Sequence, residues 1–553
     1  MKVKYRFLLF ATLPLAFLGC TSLQSEGTPS YGASPDTAEI PFAQIRPRPS
    51  VRDELTVVFS RVGRIELDFR KSFLANEAQL FTAIYEGLFS LHPVTMEPVP
   101  ALAESWELSN DGLVWTFTIR PGAKFANGDP ITSGDFRRSW LSLLSPRREA
   151  PYSSMFDIIE GAKEYRTGET TDPNSVGIVA PRPGTLTVRL NSPAAFFPSM
   201  LCHHSFSPIH LSMTDVADWS RSFPVSNGPF SIAEMNPDRI VLVRNGHYWG
   251  SESVALRRIT IRFADEDEAA ELWNSGEALW IAGGVNLAAL TDRSGISVHP
   301  LFGTHFYFIR SGEEPLNDYR VRRALSLVLP WDEIRSMHFL PARTLVNPLP
   351  GYPRIAGIGE TDVAEARRLL AQAGFPGGVG MPELVFRMVP SFEAVRISGL
   401  MAEAWEEHLG VSSVIEVVRF EDYFDTLELD GYHVGSSTWI GDFPDPYSFL
   451  KNWRRYSNLN SAHHSDDDFE TLMDRSMLEE GTTRWATLAE AEQLLLDRGN
   501  VLPISFTPAI NIIDTNELEG WFPNALGIHP FRYLAFREFR PLPNLALVNG
   551  VFP

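Results

Sequence analysis

The chain has 553 residues, 44% hydrophobic and 21% charged, which suits a soluble globular protein of two or three domains. Acids outnumber bases 68 to 48, a net charge of −20, and this argues against a nucleic-acid partner, which needs a basic face to displace counterions. The acidic field favours cationic over anionic ligands, weakly at physiological salt. The 41 prolines and 39 glycines are spread along the chain and mark loops and strand ends rather than a disordered chain.

In chain order, residues 1–19 come first. Lys2, Lys4 and Arg6 form a positive region, and Phe7 to Leu18 is apolar, too short to span a membrane and interrupted by Pro14. This is the pattern of a signal peptide. It ends on Gly19-Cys20, which resembles a lipobox with Phe17 in the usual leucine position. Cys20 is therefore expected to be lipidated, with ordinary secretion and a coincidental cysteine as the alternative. Residues 20–50, small, polar and turn-rich, read as the lipidated cysteine and its tether. Lipidation leaves Cys202 as the single other cysteine, so no intrachain disulfide is expected and stability must come from the core.

Strands and helices then mix. "WELSNDGLVWTFTIR" reads as a hairpin turned at Asp111-Gly112, with Trp115, Phe117 and Ile119 on one face. "TLTVRL" (185–190), "RIVLVRN" (239–245) and "ITIRFA" (259–264) alternate in the same way. Asp318 and Asp362 each precede a helical pattern, the first with Val321, Ala324, Leu325 and Val328 inward. The second carries Val363, Ala366, Leu369, Leu370 and Ala373 on one face and stops at Gly374. "ATLAEAEQLLLDRG" repeats the pattern and ends at Gly499. The mixture implies an α/β or α+β protein of at least two lobes.

Few local motifs carry chemistry. "CHH" (202–204) has adjacent histidines expected to point apart, and it reads as a surface or core loop rather than a metal site. "HHSDDD" (463–468) lacks the glycine and distal glutamate of a calcium loop and reads as a helix N-cap. "GFPGGVG" follows a helix, so it is no dinucleotide loop. No G-x-S-x-G, H-E-x-x-H or C-x-x-C occurs. No metal or cofactor is implied, and no enzyme; a hydrolase built from scattered acids is the contrary reading. The run Ser437–Leu450, "STWIGDFPDPYSFL", stands out: largely apolar and aromatic, it holds Asp442 and Asp445 between Pro444 and Pro446.

Several stretches, in order, resemble the extracytoplasmic solute-binding proteins of family 5, the oligopeptide- and dipeptide-binding lipoproteins of ABC importers. They are "IYEGLFSLHPVTMEPVPALAESWELSNDGLVWTFTIRPGAKFANGDPITSGDF" (84–136), "DIIEGAKEYRTG" (157–168) and "SNGPFSIAEMNPDRIVLVRNGHYWG" (226–250). After them come "PLNDYRVRRALSLVL" (315–329), "VAEARRLLAQAGFPGG" (363–378), the Ser437–Leu450 run and "LPISF" (502–506). The last forty residues or so fall outside the likeness. The resemblance implies a two-lobed periplasmic-binding-protein clamshell with an accessory domain. Lobe I would comprise 51–98, 220–300 and 507–553, the accessory domain 99–219 and lobe II 301–506. It also implies a monomeric receptor, anchored through Cys20 on the periplasmic side of the envelope, that hands peptides to the permease of an ABC importer. A receptor for a dipeptide, nickel complex, sugar or opine, or a surface protein that kept the fold without transport, are the alternatives.

In the family, a Trp-x-x-Asp stretch carries the aspartate that pairs with the peptide α-ammonium; here it maps to Trp439 and Asp442. The physics agrees, since a buried ammonium needs a fixed carboxylate, and flanking prolines restrict the backbone that presents it. Trp439 would offer an apolar wall, and the main chain at Thr438, Ile440 and Gly441 an edge for an extended peptide. Tyr152 and Ala75 match ligand-facing positions. Asp445 reads instead as a turn or cap residue. Where some relatives carry an arginine for the peptide carboxylate, this chain has Ser436, so that contact is expected to be lost or moved.

Overall fold

The computed structural model describes residues 52–61, 65–216, 218–219 and 222–537. The signal-peptide, lipobox and tether readings, Cys20 included, and the C-terminal tail from 538 lie outside these. No helix among the described residues is long and apolar enough to cross a membrane.

A ten-stranded mixed sheet runs through the protein. Its order is 413–417, 384–388, 434–440, 296–309, 501–513, 280–281, 54–60, 258–264, 239–244 and 230–236. The two longest strands, Ile296–Ile309 and Val501–Ile513, lie side by side at its middle and pair antiparallel from Ile296↔Ile512 to Phe308↔Val501. Their register shifts between Pro300 and Thr304, so the ladder is broken where the two halves of the sheet meet. A separate antiparallel sheet of four strands is ordered 103–108, 114–119, 185–189 and 178–182.

Burial follows the sequence pattern. Trp115, Phe117 and Ile119 are buried on the predicted face, and Gly112 takes φ +71° at the predicted turn. The strands Thr185–Arg189, Arg239–Arg244 and Arg258–Ala264 form where alternation placed them. Asp318 caps the helix Tyr319–Leu327 through Arg320 N–H. Asp362 caps Val363–Gln372 through Glu365 N–H at 2.9 Å. Asp466 caps Asp467–Ser476, so "HHSDDD" is a helix start as expected.

One helix is longer than its apolar pattern. Gly481–Asp497 begins ahead of the predicted Ala486, because Arg484 and Trp485 turn inward onto Asp445 rather than out to water.

Two apolar clusters form the main core. One gathers residues between Leu55 and Tyr85, between Ile209 and Trp280 and between Ile513 and Phe536. The other joins the four-stranded sheet's segment, Leu88 to Phe206, with residues between Phe302 and Leu526.

Candidate functional site

The strand Val434–Ile440 pairs antiparallel with Ile296–Ile309, Trp439 opposite Thr304 and Ile440 opposite Gly303. Gly441 N–H donates to Phe302 O at 2.7 Å and Arg310 N–H to His433 O at 2.9 Å. Odd-numbered residues of this strand therefore turn their main chain to that neighbour, and Ser436, Thr438 and Ile440 turn theirs to the opposite edge. On that edge the neighbouring strand Leu384–Met388 pairs only at Val434 among the described residues. Tyr423 hydroxyl takes Ser436 N–H and donates to Ser436 O, both at 2.8 Å. Beyond it the main chain of Thr438 and Ile440 is an open strand edge.

Gly441 follows the last strand residue, and nothing larger fits there. A Cβ there would lie 2.4 Å from Phe302 Cδ1 and 3.2 Å from Phe449 Cε2. The chain then turns through the two prolines into the short helix Tyr447–Leu450 and the turn Lys451–Trp453. Asp442 N–H donates to Ser448 Oγ at 2.6 Å, which ties the turn to the helix.

The two aspartates of the run have different tasks. Asp445 receives Tyr447 N–H at 2.9 Å and both Nη atoms of buried Arg484, at 2.7 and 3.0 Å. That is the structural role predicted for it. Asp442 is no helix cap. Its side chain is 5% exposed and meets Lys451 Nζ, 1% exposed, at 2.9 Å. The Tyr152 phenol lies close enough to feel its charge, and His203 Nε2 stands 3.7 Å from Oδ1.

A cavity of about 440 Å³ opens beside this turn. All seven residues predicted to face ligand line it: Ala75, Tyr152, Thr438, Trp439, Ile440, Gly441 and Asp442. Phe73, Phe306, Phe308 and Phe424 give it apolar walls, and His203, His204, Glu86 and Arg532 also border it. Ser436, the position of the missing arginine, is buried on the strand behind.

Sequence reasoning missed three partners. Lys451 follows Asp442 by two turns of chain, and a lysine inside the run "SFLKNW" was the available signal. His203 and His204 were expected to point apart. Their rings instead lie 3.9 Å between centroids at 36°, at the start of the tight turn His204–Phe206. They are buried, as the core-loop reading allowed, and they border the cavity. Among the described residues no group of three or more His, Cys, Asp or Glu is arranged to hold a metal.

Burial, then the Lys451 cation, pushes His203 down to about 3, and burial, then His203, holds His204 well below its ordinary value. Both imidazoles are neutral at physiological pH. Burial, then the Asp442 carboxylate, drives the Tyr152 phenol well above its ordinary value.

Residues 97–461 match the family described as bacterial extracellular solute-binding proteins, family 5, middle part. The sequence is 28% identical to the oligopeptide-binding protein OppA of Bacillus subtilis over 478 residues, 82% of this chain and 87% of that protein. Among solved structures, the murein tripeptide binding protein MppA of Escherichia coli superposes with a TM-score of 0.79 at 24% identity. It covers 88% of this chain and 99% of that one. Haemophilus influenzae OppA in complex with RPPGFSPFR gives 0.77 at 21% identity, over 88% and 100%. The fold is the mixed α/β, two-lobed clamshell of such proteins, as the sequence implied.

The neutral histidines make stability depend on pH. His203 has its folded value depressed below 6.5, so its contribution is whole above pH 6.5 and is lost as acid draws protons onto the unfolded chain. Glu77 and Glu492, raised by burial to about 7, act oppositely: their contribution is whole below pH 4.5 and is lost as pH rises through 7. Comparing variants isolates one group. Urea unfolding between pH 4 and 6 is expected to give His203→Asn a shallower loss of stability on acidification, by up to about 1.4 kcal/mol per pH unit. An unchanged slope would mean that the folded protein protonates this ring.

Proposed function

The chain belongs to the bacterial extracellular solute-binding proteins of family 5, and from that premise we propose that it captures short extended peptides and delivers them to the permease of an ABC importer. The observation that carries the reading is the open edge at Thr438 and Ile440 in the wall of an apolar cavity. A peptide laid there adds a strand, and main-chain bonding reads no side chain, which suits uptake of many sequences. Asp442 and Tyr152 close one end of that edge, and we assign the peptide's N-terminal end to them. Trp439, Gly441 and Ala75 complete the contact surface.

Lobe I is assigned to 51–98, 220–300 and 507–553, the accessory domain to 99–219 and lobe II to 301–506. The strands Ile296–Ile309 and Val501–Ile513 cross between the lobes, and the ladder break between Pro300 and Thr304 suits a hinge there. A ligand touching both sides stabilises the closed form over the open one, and this differential affinity drives closure. The chain works as a binding protein without chemistry of its own. Relatives support the ligand class: Bacillus subtilis OppA is an oligopeptide-binding protein, and Haemophilus influenzae OppA has been solved with RPPGFSPFR. Export by residues 1–19 and a lipid on Cys20 would hold the receptor, as a monomer, on the periplasmic side of the cell envelope.

Native mass spectrometry of a form lacking residues 1–20, purified from cells, is expected to find a ladder of short peptides bound. A single non-peptide mass, or a protein that no peptide mixture protects from heat, would overturn the reading in favour of another solute or a non-transport role. In the full chain, Cys20→Ser is expected to abolish labelling by radioactive palmitate; persistent labelling would refute the anchor.

A further inference from the structure

A carboxylate reserved for a ligand's ammonium needs a cation only when the ligand arrives. Here the cation belongs to the chain. Lys451 Nζ lies 2.9 Å from Asp442 Oδ2 and 3.0 Å from Asn452 Oδ1, and it is 1% exposed. It also stands over the rings of Trp439 and Tyr152, at 5.2 and 5.4 Å from their centroids. These are the acid and the aromatic walls that would otherwise receive a ligand's charge. Building on the peptide reading, we propose that Lys451 supplies in cis the cation Asp442 requires, so that the receptor selects peptides whose amino end is uncharged, blocked as an amide or lactam.

The charges around the cavity support this selection. Glu86 is bound by Arg532 at 2.5 Å and by Tyr248 at 2.6 Å, so that pair is closed on itself. His203 and His204 are neutral. Asp442 and Lys451 cancel. A ligand ammonium placed beside Asp442 would set two buried cations against that one carboxylate. Expelling Lys451 instead would require a 1%-exposed side chain to leave two acceptors and two aromatic faces. An amide end asks for neither.

The ligand-specificity test uses an equal mixture of casein peptides with free and N-acetylated amino termini, and reads the bound fraction by native mass spectrometry. The wild-type protein is expected to hold acetylated peptides in clear preference to free ones. Lys451→Met is expected to shift the bound ratio toward free amines by roughly tenfold, the change worth one strong contact, and Lys451→Arg to keep the wild-type ratio. Lys451→Met leaves Asp442 unpaired and can unfold, so Asp442→Asn combined with Lys451→Met serves as the second variant. It removes both charges together and is expected to bind both forms without discrimination. A wild-type protein that takes free peptides at least tenfold over acetylated ones, with a ratio unmoved in Lys451→Met, overturns this inference and leaves the peptide reading standing. Binding of neither pool by the wild-type protein overturns both.

Discussion

Two strands, Ile296–Ile309 and Val501–Ile513, carry the ten-stranded sheet across its centre, and the site exists because of how they run. With 14 and 13 residues they exceed the usual strand, so each serves both halves of the sheet. An unbroken ladder of that length would fix the halves rigidly. The register shift between Pro300 and Thr304 interrupts it, and there Phe302 turns its carbonyl to Gly441 and its N–H to Ala525. The 434–440 strand inherits its register from this neighbour. That register decides which residues offer main chain to the cavity, because a slip of one residue would exchange the two edges.

Immediately past that strand the chain buries an acid. An isolated buried carboxylate is expensive, and its cost is met locally by an ammonium, a phenol and a tight turn. Lys451 reaches Asp442 because Pro444 and Pro446 reverse the chain and the next helical turn brings the lysine back. Arg484 does the same for Asp445 from a distant helix. The result is a cavity wall whose charges are settled before any ligand enters, with apolar rings and an open main-chain edge left to bind. On the reading proposed above, affinity would come from burial and strand pairing, and selectivity from which charges a ligand may not bring.

Much of this was legible in the sequence. Caps at Asp318, Asp362 and Asp466 are local chemistry, and they appear where a short polar residue precedes a helical pattern. The alternating strands were equally plain. The residues expected to face ligand came from an ordered resemblance, and they gather around one cavity. What stayed hidden were partners fixed by tertiary contact. Nothing near "CHH" says that its rings lie beside an aspartate far along the chain, and Arg484 resembles any exposed helix arginine until Asp445 meets it. Lys451 was different in kind. It stands inside an aromatic run, where a lone lysine implies a buried acidic partner.

The most direct test is a crystal structure of the protein with the ligand it carries from the cell. The account requires an extended peptide paired to Thr438 and Ile440, its amino end toward Asp442, with Lys451 still on the carboxylate. A ligand lying away from that strand edge, or Lys451 swung out and replaced by a ligand ammonium, would contradict it.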